Sequence, residues 1–121
     1  MKQMSVKIYE YKNCGTCRKA LKYLDAKGLA YEKLAIRETP PTIEELNFML
    51  DKTGNIKRLL NTSGQDYRKL GMKDKVKELS EAEIITMLTE NGNLIKRPFV
   101  LCEDKATTGF KEEEWDAFFG V

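Results

Sequence analysis

Between residues 6 and 24 the hydrophobic spacing of this chain changes from a period of two to a period near 3.6, and two cysteines stand at the change. Val6 and Ile8 share one face of a run rich in β-formers that also holds Tyr9, so residues 4–9 read as a strand. From Thr16 the pattern is helical: Cys17, Leu21 and Leu24 fall at i, i+4 and i+7 on one face. Gly28 supplies the C-terminal stop, and residues 30–34 form a second strand. A strand that runs straight into a helix commits the chain to packing helices on a sheet.

The rest of the chain keeps to that plan. After Pro40-Pro41, Thr42 and Glu45 make a capping-box signature ahead of a helix with Ile43, Leu46, Met49 and Leu50 on one face. A short apolar piece, residues 56–60, leads into the polar segment NTSGQDY. Ser80 and Glu83 make a second capping box, opening a helix with Ile84, Ile85 and Leu88 that Asn91-Gly92 stops. Residues 99–102 read as a third strand and 106–108 as a fourth, joined by a hairpin at Glu103-Asp104. Residues 111–119 close the chain as a helix whose Trp115, Phe118 and Phe119 face the core. The order is β-α-β, a helical block, then β-β-α, which one α/β domain over residues 1–121 accommodates.

Composition removes several function classes. The net charge is +2, too small to draw the chain to nucleic acid or to an anionic membrane. No run of about twenty apolar residues is present, and MKQMSVKIYE lacks the apolar stretch of a signal peptide. A cytoplasmic location is therefore expected, where three cysteines do not make a disulfide scaffold. There is no histidine, which removes the commonest general base and the commonest metal ligand together.

Three chemistries are open to Cys14 and Cys17. Zinc takes four ligands, and only Cys102 could add to the pair, so no metal is expected. Two ordinary buried thiols are a second reading. A redox pair is the third, and electrostatics favours it. Cys14 sits at or just before the first helical turn, where free backbone N–H groups and the positive end of the helix dipole point at it. Arg18 and Lys19 add positive charge there, which favours the nucleophilic thiolate. Cys17, on the buried face, can reach the Cys14 sulfur but is shielded from outside reagents. Cys14 would then attack and Cys17 resolve. Gly15 would keep the approach open and the turn unstrained. Pro98 opens the third strand, where a cis Arg97–Pro98 bond and an ordinary strand-start proline both fit. Cys102 reads as a core thiol. The loop Asn61–Gln65 fits either a solvated turn or the wall of a cleft near Cys14.

The segments KIYEYKNCGTCRKALKYLDAKGLAYE, NTSGQDYRKLGM, LIKRPFVL and GFKEEEW resemble, in this order, the arsenate reductase/Spx family. The resemblance implies a thioredoxin-like fold: a four-stranded mixed sheet flanked by helices, with a helical insert at about residues 41–92 between the second and third strands. It implies that Arg97-Pro98 is the family's Arg–cis-Pro step. It also puts Cys14 where the arsenate reductases hold the cysteine that attacks arsenate. Two of the three arginines that those enzymes use around the oxyanion are replaced here by Asn61 and Gly109. Guanidinium groups hold tetrahedral anions through forked hydrogen bonds, so two losses at roughly 1.5–3 kcal/mol each predict weak arsenate binding. The internal partner Cys17, which those reductases commonly lack, points the same way.

The reading that follows is a thiol–disulfide redox protein. Cys14, Cys17 and Arg97 do the chemistry, and Gly15, Thr16, Arg18, Ser63 and Pro98 bind substrate or shape the site. The expectations that go with this reading are an electron donor such as glutathione or thioredoxin, a thiol or disulfide substrate that includes proteins, no bound cofactor, and a monomer. Two alternatives stay open: an arsenate reductase, and an Spx-like redox sensor that binds RNA polymerase without touching nucleic acid. The second is weakened by the end of the chain at Val121, without the charged extension of Spx.

Overall fold

Every other strand of the sheet is placed directly or indirectly by β1 (Val6–Glu10), in a computed structural model that describes residues 5–121. β1 pairs in parallel with β2 (Tyr31–Ala35) and antiparallel with β3 (Phe99–Cys102), which pairs antiparallel with β4 (Lys105–Thr108). The order is β2-β1-β3-β4, the mixed four-stranded sheet expected of a thioredoxin-like fold. Of the strand expected over 4–9, residue 4 lies outside the described residues. The strand itself begins at Val6 and runs one residue further, to Glu10.

Alternation along β1 and β3 divides the core in two. Val6, Ile8, Val100 and Cys102 pack with Ala20, Tyr23 and Leu24 of α1 (Gly15–Ala26) and with Trp115 and Phe119 of α6 (Glu112–Phe119). Tyr9 and Phe99 pack instead with the elements between β2 and β3. These are α2 (Ile43–Thr53), a 3₁₀ turn at Ile56–Leu59, α3 (Gln65–Lys69), α4 (Met72–Glu78), α5 (Glu81–Glu90) and a 3₁₀ turn at Gly92–Leu94. α1 ends where expected: Gly28 is left-handed at φ 68°, its N–H donates to Asp25 O, and the Leu29 N–H donates to Leu24 O.

The structure moves several residues from their expected places. Leu21 is only half-buried, and Tyr23 takes the core position beside Leu24. Ile43 is 49% exposed, because it occupies the first turn of α2 beside its cap. Phe118 is half-buried against the core that holds Trp115 and Phe119. Gly92 does not act as a left-handed stop. It is buried, and a Cβ there would stand 1.9 Å from Ile36 O, so a glycine is needed for backbone contact with the end of β2. α3 and α4 lie within the helical insert expected at about residues 41–92, where no separate helix is read from the pattern; the start of α3 falls in the segment NTSGQDY, read only as polar.

Both capping boxes form, and the first reaches beyond its own helix. The Glu45 carboxylate accepts from the Thr42 N–H at 3.0 Å, from the Tyr9 hydroxyl at 2.7 Å and from Lys7 Nζ at 2.8 Å. One side chain thus caps α2 and fastens it to β1. Burial pushes the Glu45 carboxyl up, but the Lys7, Thr42 and Tyr9 hydrogen bonds together outweigh it and leave it below the usual value. Burial first, then the bond to Glu45, pushes the Tyr9 hydroxyl up to about 12.

Replacing Glu45 with Ala removes all three bonds and should cost about 1–3 kcal/mol in urea unfolding. The sign of the pH dependence follows from the depressed folded-state value. The carboxylate's contribution is complete above the ordinary value of 4.5 and disappears as pH falls through the lower folded value. Glu45→Ala should therefore flatten the acid limb of stability against pH; an unchanged limb would assign that limb to other carboxylates.

Candidate active site

The chain leaves β1 at Glu10 and turns at once. The Cys14 N–H donates to Tyr11 O at 3.0 Å, which seats Cys14 as the residue capping α1. Its backbone is extended (φ −93°, ψ 116°), and its Sγ accepts from the Cys17 N–H at 3.3 Å. A thiolate at this position faces an unsatisfied helical N–H and the positive end of the dipole. Cys14 is half-buried, whereas Cys17 is 0% exposed. Burial, and next the interaction with Cys14, push the Cys17 thiol up to about 12. At neutral pH Cys17 is thus a protonated, enclosed thiol next to an accessible one.

Cys102 is separated from this pair by the length of the sheet. It is 3% exposed and pairs with Val6, at the opposite end of β1 from Cys14. The strand between them spans roughly 13 Å at about 3.3 Å per residue, far beyond the Cα separation of about 7 Å that a disulfide tolerates. Burial raises its pKa as well. Cys102 is a core thiol, as expected.

Cys14 opens into a cleft of about 830 Å³. Thr16, Ser63 and Arg97 line it, as do Asn61 and Gly109, the two positions where arginines are replaced. The loop Asn61–Gln65 is therefore a cleft wall. Gly15, Arg18 and Pro98 are not among the lining residues. Gly15 has open space where a Cβ would stand and lacks a positive φ, so strain does not require glycine there. Arg18 is exposed one turn into α1. Pro98 is buried after a cis bond to Arg97, and its carbonyl accepts from the Gly109 N–H at 2.8 Å, so it shapes the cleft through the backbone.

Arg97 is oriented by an aromatic ring. Its guanidinium lies 5.1 Å from the Tyr11 ring centroid, and that of Arg37 lies 4.9 Å from the same ring. The Tyr11 hydroxyl accepts from Arg37 Nη1 at 2.9 Å and from Asn13 Nδ2 at 3.1 Å. Arg97 Nη1 is buried and has no hydrogen-bond partner. A buried charged donor without a partner is costly, and it lies in the cleft that holds Cys14. Sequence reasoning did not single out Tyr11, Arg37, Arg58, Lys96 or Lys111; Tyr11 and the last three also line the cleft. Arg58 and Lys96 are 38 residues apart with no shared local pattern, so only the fold brings them together.

Among the described residues, no group of three or more Cys, Asp or Glu side chains is placed to hold a metal ion. No helix there is long and apolar enough to cross a membrane.

The model of the ArsC family matches residues 9–118. The protein YusI of Bacillus subtilis is 43% identical over 114 residues, covering 93% of this chain and 97% of YusI. The global transcriptional regulator Spx of Streptococcus agalactiae is 33% identical over 107 residues, covering 88% of this chain and 77% of Spx. Among solved structures, a possible arsenate reductase from Streptococcus mutans superposes with a TM-score of 0.84 at 38% identity, covering 92% of this chain and 97% of that one.

Limited alkylation of the reduced native protein should label Cys14 first and leave Cys17 and Cys102 unlabelled until denaturant is added. Peptide mapping by mass spectrometry reads the order. Early labelling of Cys17 would contradict its enclosure.

Proposed function

The chain belongs to the ArsC family, and from that premise we propose that it is a thiol–disulfide redox protein working through Cys14 and Cys17. The observation that carries this reading is the asymmetry of the pair. Cys14 is accessible at the α1 N-terminus, while Cys17 is enclosed, protonated and hydrogen-bonded through its backbone to the Cys14 sulfur.

In this mechanism the Cys14 thiolate attacks one sulfur of a substrate disulfide. The Cys14–S bond forms as the substrate S–S bond breaks, and the first thiolate departs with the electron pair. Cys17 then attacks Cys14 Sγ. The second thiolate leaves and takes up the Cys17 proton. The substrate gains two electrons and the protein ends with a Cys14–Cys17 disulfide. Glutathione or thioredoxin returns it to the dithiol, in a reducing cytoplasm. Arg97 holds an anionic group of the substrate or the thiolate itself, which gives its unpartnered Nη1 a ligand.

Single substitutions separate these roles. Cys17→Ser should accumulate the mixed disulfide on Cys14, visible by intact mass, and Cys14→Ser should abolish turnover. An intramolecular bridge to Cys102 in the oxidised wild type would defeat the assignment. Arg97 joins neither of the two ion pairs found among the described residues, so Arg97→Ala should destabilise the fold by about 1 kcal/mol at most, and relief of the unpartnered Nη1 acts in the stabilising direction, while Cys14 alkylation by an anionic reagent slows. A loss of several kcal/mol with unchanged alkylation would make Arg97 structural. Arsenate turnover should be slow, since Asn61 and Gly109 bring no guanidinium to the two positions that arginines fill in the arsenate reductases; efficient, saturable turnover lost in Cys14→Ser would make arsenate reduction the better reading.

A further inference from the structure

The cleft holds more positive charge than Cys14 and Arg97 account for. Arg58, Lys96, Arg97 and Lys111 line it against one carboxylate, Glu114, which stands 4.0 Å from Lys111 Nζ. Neither Arg58 nor Lys96 joins an ion pair among the described residues.

The wall that carries them is held by main-chain atoms. The Thr108 hydroxyl donates to Arg58 O at 2.6 Å, the Lys96 N–H to Leu59 O at 2.9 Å and the Gly109 N–H to Pro98 O at 2.8 Å. Gly109 has φ 76°, and a Cβ built there would stand 3.1 Å from Lys96 Cε and 3.6 Å from Lys96 Nζ. The bare Gly109 thus gives the Lys96 amine room to lie along the wall. Behind it, Trp115 Nε1 donates to Gly109 O at 3.1 Å and fixes the backbone. A volume of about 830 Å³ falls among small-molecule sites and far exceeds one tetrahedral oxyanion.

We propose that Lys96 and Arg58 form an anion subsite that selects low-molecular-weight disulfides bearing carboxylates for attack by Cys14. The proposal rests on the thiol–disulfide reading and gives that reaction its substrate class. The exchange step is unchanged: Cys14 bonds one sulfur, the other leaves as a thiolate with the electron pair, and Cys17 completes the two-electron reduction. Lys96 and Arg58 act on the carboxylates, by drawing the anion into the cleft and holding it there.

Single-turnover reduction by the reduced full-length protein, followed as thiol release, tests this with three disulfides: anionic dithiodipropionate, neutral bis(hydroxyethyl) disulfide and cationic cystamine. The expected order of rates is anionic, neutral, cationic, with the spread narrowing as salt is added. In Lys96→Gln and in Arg58→Gln the anionic-to-neutral ratio should fall about tenfold each, the size of one charge-assisted hydrogen bond, through the half-saturating concentration. Lys96→Arg should restore the ratio. Equal wild-type rates for the anionic and neutral disulfides, or a ratio unmoved in both Gln variants, would overturn the subsite and leave the thiol–disulfide reading standing. A wild type whose Cys14 reacts with none of the three would bring down both.

Discussion

β1 has both edges paired and both faces covered, and that double enclosure organises the molecule. Its backbone is taken up by β2 on one side and β3 on the other. Val6 and Ile8 bury against α1 and α6, and Tyr9 buries against the helical insert. A one-residue slip would exchange these sets and put Lys7 into the core. The register is thus set by packing on two faces at once. Where the strand stops is also where the candidate site starts, because the turn from Glu10 through the Tyr11 carbonyl delivers Cys14 to the start of a helix. The position of the Cys14 sulfur is a consequence of strand register.

The insert is joined to this frame by polar contacts at one end and by close backbone approach at the other. Glu45 ties the start of α2 to Lys7 and Tyr9. Near the end of the insert, the Asn61 N–H donates to Leu94 O and the Lys96 N–H to Leu59 O. Leu60 and Ile95 make a single antiparallel bridge beside them. This lacing carries Asn61 and Ser63 to the cleft from one side as Arg97 and Gly109 arrive from the other. The site is a seam between the insert and the sheet, with Cys14 at its head.

The sequence revealed most where one local rule governed. β1, α1, the two capping boxes and the 103–104 hairpin each announce themselves within a few residues, and each forms close to its expected place, β1 starting two residues later than expected. α3 and α4 did not, and their caps explain why: Gly64 and Gly71 precede them with no side-chain hydrogen bond, so no capping signature marks their starts. Cys14, Cys17 and Arg97 could be nominated for the candidate site because a motif and a family resemblance pointed at them. Tyr11, Arg37, Arg58 and Lys96 were not. Each is an unremarkable polar or aromatic residue in its own segment and gains meaning from neighbours far along the chain.

Gly92 fixes the spacing between two halves of the molecule by leaving no gap there. Its main chain lies so close to Ile36 O that even one methyl group would have to push the two segments apart. Four residues later the same strand of chain reaches Lys96, and then Arg97 and Pro98. A displacement at Gly92 has little slack in which to dissipate before it arrives at the cleft. The glycine therefore works as a gauge block. The width of the seam that holds Cys14 is calibrated by a contact made of backbone alone, at a residue that does not line the cleft and carries no chemistry of its own.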